Sequence, residues 1–223
     1  MPFDLQRIDA DTFIRKIEFH SRLPSTNDRA MTLAEAADIV LPLLVLCEHQ
    51  TAGRGRGGNH WWSSDGALTF SLVVETGLLS LRVDHPTCMS LSAGIAVCET
   101  LAEVLPFEKI GMKWPNDVYL EGKKVCGILT ESPSPKSGRL VIGIGINVNN
   151  SLRTAPAELQ SSATSLYDVT GKQFELTDFL VRTIQHLENQ IKSLQRDDSQ
   201  LVEGWQQFCM LQGQSVTLNL VSE

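Results

Sequence analysis

Apolar residues recur along this chain in two rhythms, a strand-like alternation and a helical repeat, and together they lay out an order of elements. From Phe13 to Phe19 apolar and charged residues alternate as on a half-exposed strand, and Leu23-Pro24 stops it. Ser25 and Asp28 stand at capping-box spacing ahead of Ala30, Leu33, Ala34 and Ala37, the apolar stripe of a helix. Leu41 to Cys47 and Ala67 to Val74 are apolar runs of strand length, and Leu68, Phe70, Leu72 and Val74 share one face. Pro86 suits the first turn of a helix, and Leu91, Ile95, Cys98, Ala102 and Leu105 keep the helical period from Thr87 to Leu105. A hairpin follows, with Lys113 to Leu120 going out, Glu121-Gly122 turning, and Lys124 to Thr130 returning.

Ser132 to Gly138 is a polar loop, and Leu140 to Val148 reads as a buried strand whose glycines at 143 and 145 imply that something packs close. Asn149 to Leu166 is polar and irregular. Thr177 is placed to cap a helix with the stripe Leu180, Ile184, Leu187, Ile191 and Leu194, and Leu201, Val202, Trp205 and Phe208 predict another. Ser215 to Val221 closes the chain as a strand with no local partner.

The stretch between the two apolar runs, Gln50 to Gly66, concentrates the candidate chemistry. Glycines at 53, 55, 57 and 58 let the backbone turn sharply and bring N–H groups against a ligand, while Arg54 and Arg56 offer planar donor forks matched to carboxylate or phosphate. Trp61 and Trp62 follow, and an indole there can stack on a flat base. A P-loop is excluded, since no lysine and hydroxyl pair follows Gly58 at its spacing. The glycines at 143 and 145 make no dinucleotide fingerprint either, because the third would fall on Val148.

Two other stretches keep two readings each. Ser25-Thr26-Asn27 is a helix cap, or a set of short polar side chains presented to a ligand at a helix N-terminus. In Lys113-Trp114-Pro115-Asn116-Asp117 the lysine either snorkels to solvent, which spacing alone favours, or faces a ligand anion, and Asn116 and Asp117 carry turn chemistry.

Composition narrows the field. The 223 residues suffice for one main domain, and 19 Lys+Arg against 26 Asp+Glu, net charge -7, disfavour a nonspecific nucleic-acid or membrane-surface binder. Five cysteines, widely separated and inside apolar segments, read as reduced buried thiols of a cytoplasmic protein. No 18-residue uninterrupted apolar run is present, and the acidic N-terminus has no apolar leader core.

Taken in order, Gln50-Thr51-Ala52-Gly53-Arg54-Gly55-Arg56 with Trp61, then Lys113 to Asp117, Lys124 to Glu131, and Gly143 to Asn147 resemble biotin protein ligases over nearly the whole chain. The resemblance implies an α+β fold related to class II tRNA synthetases, a mostly antiparallel sheet with helices on one side. It implies two steps: biotin and Mg2+-ATP give biotinyl-5′-adenylate, and a lysine of a biotin carboxyl carrier protein then takes the biotin. It assigns Ser25, Thr26, Asn27, Gln50, Gly53, Arg54, Gly55, Arg56, Lys113, Gly127 and Ile128 to biotin. Arg54, Arg56, Trp61, Lys113, Asn116 and Asn147 go to the nucleotide, with Lys113, Arg54 and Arg56 as the charges that let carboxylate and phosphate meet. No protein-bound metal, nucleic acid or membrane is implied, and a homodimer is compatible. The pattern starts near residue 13 without a DNA-binding domain, so the resemblance is to the monofunctional kind. Residues 1–212 are expected to be catalytic and 213–223 to begin a small SH3-like domain that is missing or cut short. A lipoate or octanoate ligase or transferase of the same fold, and a biotin-binding pseudo-ligase, are the alternatives.

Overall fold

The computed structural model describes residues 2–79, 85–134, 137–196, 199–215 and 217. Seven strands make one sheet in the order β1 (Lys16–Leu23), β2 (Leu43–Gln50), β3 (Leu68–Glu75), β7 (Arg139–Ile146), β6 (Lys123–Glu131), β5 (Asp117–Leu120), β4 (Ile110–Lys113). β1 and β2 run parallel and the other neighbours antiparallel, as the expected mixed, mostly antiparallel sheet requires. Around it lie α1 (Leu5–Asp11), α2 (Thr26–Ala34), α3 (His85–Val104), α4 (Ala157–Ser162), α5 (Leu166–Thr170), α6 (Leu176–Arg196) and α7 (Ser199–Phe208).

The sheet has two unlike faces. Leu44, Leu46, Leu68, Phe70, Leu72, Ile142 and Ile144 pack with Ile95, Cys98 and Leu101 of α3 and with Leu180, Ile184 and Leu187 of α6. Each large side chain buried there contributes about 1.5–3 kcal/mol. On the opposite face Leu43, Val45, Val73 and Val141 meet Ala30 and Ala34 of the short helix α2. Burial on both faces is why Leu41 to Cys47 is a continuous apolar run without alternation. Beyond α2 this second face carries Thr69, Ser71, Gly143 and Gly145, too small and polar to seat a helix, and a cavity opens there.

The observed elements differ from the expected ones where the pattern is short. The first strand starts at Lys16, and the chain before it forms α1, capped by Asp4, whose carboxylate accepts from Arg7 N at 3.0 Å. The segment read as irregular, Asn149 to Leu166, contains α4 and leads into α5, helices too short to show a period. In α3 Ala102 is exposed and Leu101 is buried instead, because 3.6 residues per turn carries the stripe off a strict four-residue step. Ala37 lies beyond the end of α2, exposed, and Val202 is 53% exposed on α7. Glu175, rather than Thr177, caps α6 by accepting from the backbone of Thr177 and Asp178. The helix expected from Thr87 to Leu105 is α3, and although Pro86–Val104 reaches a mean hydropathy of 1.2 over a membrane-spanning length, 61% of that window is buried inside the protein, as in a core helix. The strand expected from Ser215 to Val221 lies almost wholly outside the described residues.

Candidate functional site

The cavity occupies about 540 Å³, a size suited to a small molecule, and four parts of the chain wall it: the N-terminus of α2, the end of β2 with the glycine-arginine loop, the strands β6 and β7, and the turn before β5. Ser25 caps α2, its hydroxyl accepting from Asp28 N at 3.3 Å. Because the cap occupies Ser25 alone, Thr26 and Asn27 are free to point inward, both 4% exposed. Gln50 Oε1 accepts from Thr26 N at 2.6 Å and from Thr26 Oγ1 at 3.0 Å. Asn27 Nδ2 donates to the Leu129 carbonyl at 3.1 Å and to Glu131 at 2.8 Å, and Ser71 Oγ lies 2.7 Å from Asn27 Oδ1. One end of the cavity is thus a buried, fully connected polar wall, and such walls hold their side chains rigidly.

The close approaches implied at Gly143 and Gly145 are made by two site residues. A Cβ at 143 would lie 2.7 Å from Asn27 Cγ, and one at 145 would lie 2.7 Å from Trp61 Nε1. Gly127 is paired with Gly145 across β6 and β7, so the Trp61 indole lies on a floor without side chains. Its buried N–H has no hydrogen-bond partner among the described residues. The loop bearing Trp61 is itself a small hairpin: Trp61 N donates to Gly53 O at 2.9 Å, Gly55 N donates to Asn59 O at 2.7 Å, and Gly57 and Gly58 turn it at φ 66° and 81°.

The two arginines of that loop have different fates. Arg54 Nε donates to Asp28 at 2.7 Å, and Nη1 and Nη2 donate to Glu131 at 3.0 and 2.7 Å. These carboxylates, Glu131 first, raise the Arg54 pKa further above its ordinary value. Arg56 lines the cavity and takes part in none of the ion pairs among the described residues.

At the other end stand Asn116, Asp117 and Lys124, with Lys124 Nζ 2.7 Å from Asp117 Oδ1. Simple alternation along β6 would put Lys124 on the core face with Cys126 and Ile128. A β-bulge reverses it: Tyr119 pairs with Lys124 while the next residue back, Val118, pairs with Cys126, so Val125 is the extra residue. Val125 and Cys126 both enter the core, and the Lys124 ammonium passes 3.4 Å from the position a Cβ on Gly127 would take.

Of the expected site residues, Ser25, Thr26, Asn27, Gln50, Arg54, Gly55, Arg56, Trp61, Asn116, Gly127 and Ile128 line the cavity together. Lys113 does not: it ends β4, the edge strand two positions beyond β6, and is exposed. Asn147 is also outside the lining. It is 3% exposed and committed to structure, donating to Thr164 O and accepting from Asn150. Gly53 serves the loop hairpin, where a Cβ would meet the Trp61 carbonyl at 2.6 Å. Ser71, Glu131, Asp117 and Lys124 were missed. For Ser71 a signal existed, a polar residue alternating with Phe70 and Leu72. Among the described residues no cluster of three or more His, Cys, Asp or Glu forms a metal site. Burial pushes the Cys98 and Cys126 thiols well up, which leaves both unreactive.

Residues 19–149 match the biotin/lipoate A/B protein ligase family. The biotin--[acetyl-CoA-carboxylase] ligase of Mycobacterium tuberculosis is 31% identical over 217 residues, covering 96% of this chain and 79% of that one. Among solved structures, the biotin protein ligase of Aquifex aeolicus in complex with biotin and ATP superposes with a TM-score of 0.76 at 30% identity, over 89% of this chain and 80% of that chain. The biotin protein ligase of Leishmania major in complex with biotinyl-5-AMP gives a TM-score of 0.74 at 25% identity, over 93% and 86%.

Proposed function

Since this chain belongs to the biotin/lipoate A/B protein ligase family, we propose that it is the ATP-dependent ligase that activates biotin and passes it to a lysine of a biotin carboxyl carrier protein. In the first step a biotin carboxylate oxygen bonds to the α-phosphorus of ATP and pyrophosphate leaves. In the second the uncharged amine of the carrier lysine attacks the acyl carbon, AMP leaves, and the amide nitrogen loses a proton. Neither step needs a nucleophilic side chain.

The observation that carries this reading is the unlike pair of ends in one cavity. The buried wall of Thr26, Asn27, Gln50 and Ser71 supplies acceptors and donors in fixed positions for a small polar head such as a ureido ring. The cavity also presents two cations, Lys124 beside Asp117 at the opposite end and Arg56 on the loop, for a carboxylate and a phosphate of like charge that must be brought together. Trp61, on its glycine floor and with an indole N–H to spare, offers a face for adenine. Mg2+ would enter with ATP, whose phosphates supply much of its coordination.

The test is pyrophosphate release from ATP with biotin or with lipoate as the acid, followed by transfer to a carrier domain. Biotin-dependent release and carrier labelling are expected. Release driven by lipoate in preference to biotin would overturn the substrate, and release without transfer would leave an activating enzyme only.

A further inference from the structure

Asn27 carries an amide whose two ends are not interchangeable in this protein. Its Nδ2 faces the Leu129 carbonyl at 3.1 Å and Glu131 Oε2 at 2.8 Å, partners that can only accept, so both amide hydrogens are engaged. Its Oδ1 lies 2.7 Å from Ser71 Oγ, a hydroxyl whose single proton is shared between Oδ1 and Thr26 Oγ1 at 2.8 Å. What Asn27 has left for a ligand is a lone pair. Gln50 is fixed in the opposite sense, because its Oε1 is held by the N–H and hydroxyl of Thr26 and its NH2 is left as a donor. An acceptor at 27 beside a donor at 50 is the complement of a cyclic urea, which carries N–H and C=O side by side.

We propose that Glu131 is a positioning and specificity-determining residue of this site, which fixes and polarises Asn27 as an acceptor for a ligand N–H and is itself held in place by Arg54. Arg54 grips Glu131 with two nitrogens, at 3.0 and 2.7 Å, and grips Asp28 with its third at 2.7 Å. Asp28 directly follows Asn27, so one guanidinium fixes both the backbone that carries Asn27 and the carboxylate that Asn27 donates to. A carboxylate on Nδ2 draws the amide's electrons toward Oδ1 and makes it a better acceptor, as hydrogen bonds in series do. The missing side chain at Gly143 gives the amide room to lie across β7. An acyl chain without an N–H would leave the Oδ1 lone pair unmatched in a buried wall, and sites built this way reject such analogues strongly. Arg54 on this account is a positioning residue that acts through two carboxylates, while Arg56 remains for the ligand anion.

The inference rests on biotin as the substrate, and the experiment separates the two. Biotin-dependent pyrophosphate exchange is measured on the full chain, with KM for biotin and for ATP taken separately, in the unaltered protein, Glu131→Gln, Arg54→Lys, Asn27→Ala and the Glu131→Gln/Asn27→Ala double variant. Glu131→Gln is expected to raise KM for biotin about tenfold, the size of one charge-assisted hydrogen bond. It should leave kcat and KM for ATP within about twofold, narrow the preference for biotin over lipoate, and have no further effect once Asn27 is gone. Arg54→Lys should fall between the unaltered chain and Glu131→Gln. An unchanged KM for biotin, an equal rise in both KM values, or an effect that persists in the Asn27→Ala background would each overturn the role of Glu131. Absence of biotin-dependent exchange in the unaltered chain would instead overturn the proposed function, and this inference with it.

Discussion

The two ends of the cavity are built on different principles. Around Asn27 and Gln50 the side chains are fixed by partners within the protein, Thr26, Ser71, Leu129, Glu131 and, behind them, Arg54, which leave an Asn27 lone pair and the Gln50 NH2 facing the cavity. Lys124 at the other end and Arg56 on the loop carry charge with fewer partners: Lys124 rests on a single aspartate, and Arg56 has no ion-pair partner among the described residues. On the proposed function the first end selects the ligand, because a prebuilt wall rejects whatever cannot match it, and the cations serve the reaction, because charge that is not already satisfied can be given to developing anions. Arg54 and Arg56, two positions apart on one loop, differ in their partners, the first held by Asp28 and Glu131 and the second in no ion pair among the described residues, so residue type and position in a motif do not by themselves fix what a side chain touches.

The largest expected effect comes from the reacting end. Lys124→Ala should slow adenylate formation about a hundredfold, roughly 2.7 kcal/mol of barrier, with KM for biotin little changed. Lys113→Ala should fall far short of that. Pre-steady-state adenylate formation on both variants decides between the two lysines, and a larger loss at 113 would break the assignment drawn from the bulge.

Glycine substitutions should separate the ends more finely. A methyl at 143 presses on Asn27 and a methyl at 145 presses on Trp61, each at 3.0 Å or less from side-chain atoms. Gly143→Ala is expected to raise KM for biotin about tenfold or more with a smaller change for ATP, and Gly145→Ala to do the reverse, on the scale of other overpacked sites. Equal changes in both constants for both variants would mean that the cavity does not divide as described.

A smaller effect, and one read as leakage rather than rate, is expected at the loop. The loop is folded as a hairpin with Arg54 anchored to Asp28. Arg56 is the part left to close over a ligand. Arg56→Gly should let the acyl-adenylate escape and raise biotin labelling of serum albumin several-fold over the unaltered chain. Equal labelling would return Arg56 to the solvated surface.

The smallest effect lies remote from both ends, where His186 of α6 sits 3.3 Å from Glu99 and 3.0 Å from Glu103 of α3. Hydrogen bonding to Glu99, then charge from both carboxylates, raises the His186 pKa above its ordinary value. Folding therefore stabilises the protonated ring: the contribution is complete below the unfolded pKa and is lost as pH rises through the folded one. With the pair partly solvated, the loss should be under about 1 kcal/mol. Thermal midpoints at pH 6 and pH 9 should converge between the unaltered chain and His186→Gln at the higher pH, with activity per folded molecule unaltered. A constant gap would remove the ion pair from the account.

Much of this was written in the sequence. Leu68, Phe70, Leu72 and Val74 did share a core face, the stripe from Leu180 to Leu194 did pack, and the glycines at 143 and 145 did mark close approaches. These are local properties, set by side-chain spacing and by the absence of a Cβ, and neighbours along the chain suffice to state them. What the tertiary structure decided is which charges line the cavity and which already have partners. Lys124 faces the cavity because one extra residue, Val125, is accommodated opposite β5, and alternation alone gives the wrong face. Arg54, which lines the cavity, is ion-paired with Glu131, a partner 77 positions away. Asn147, polar and expected at the nucleotide, is spent on Thr164 and Asn150. Register, bulges and long-range pairing depend on which strand lies beside which, and that is settled only when the sheet has formed and each polar group has found the partner that burial demands.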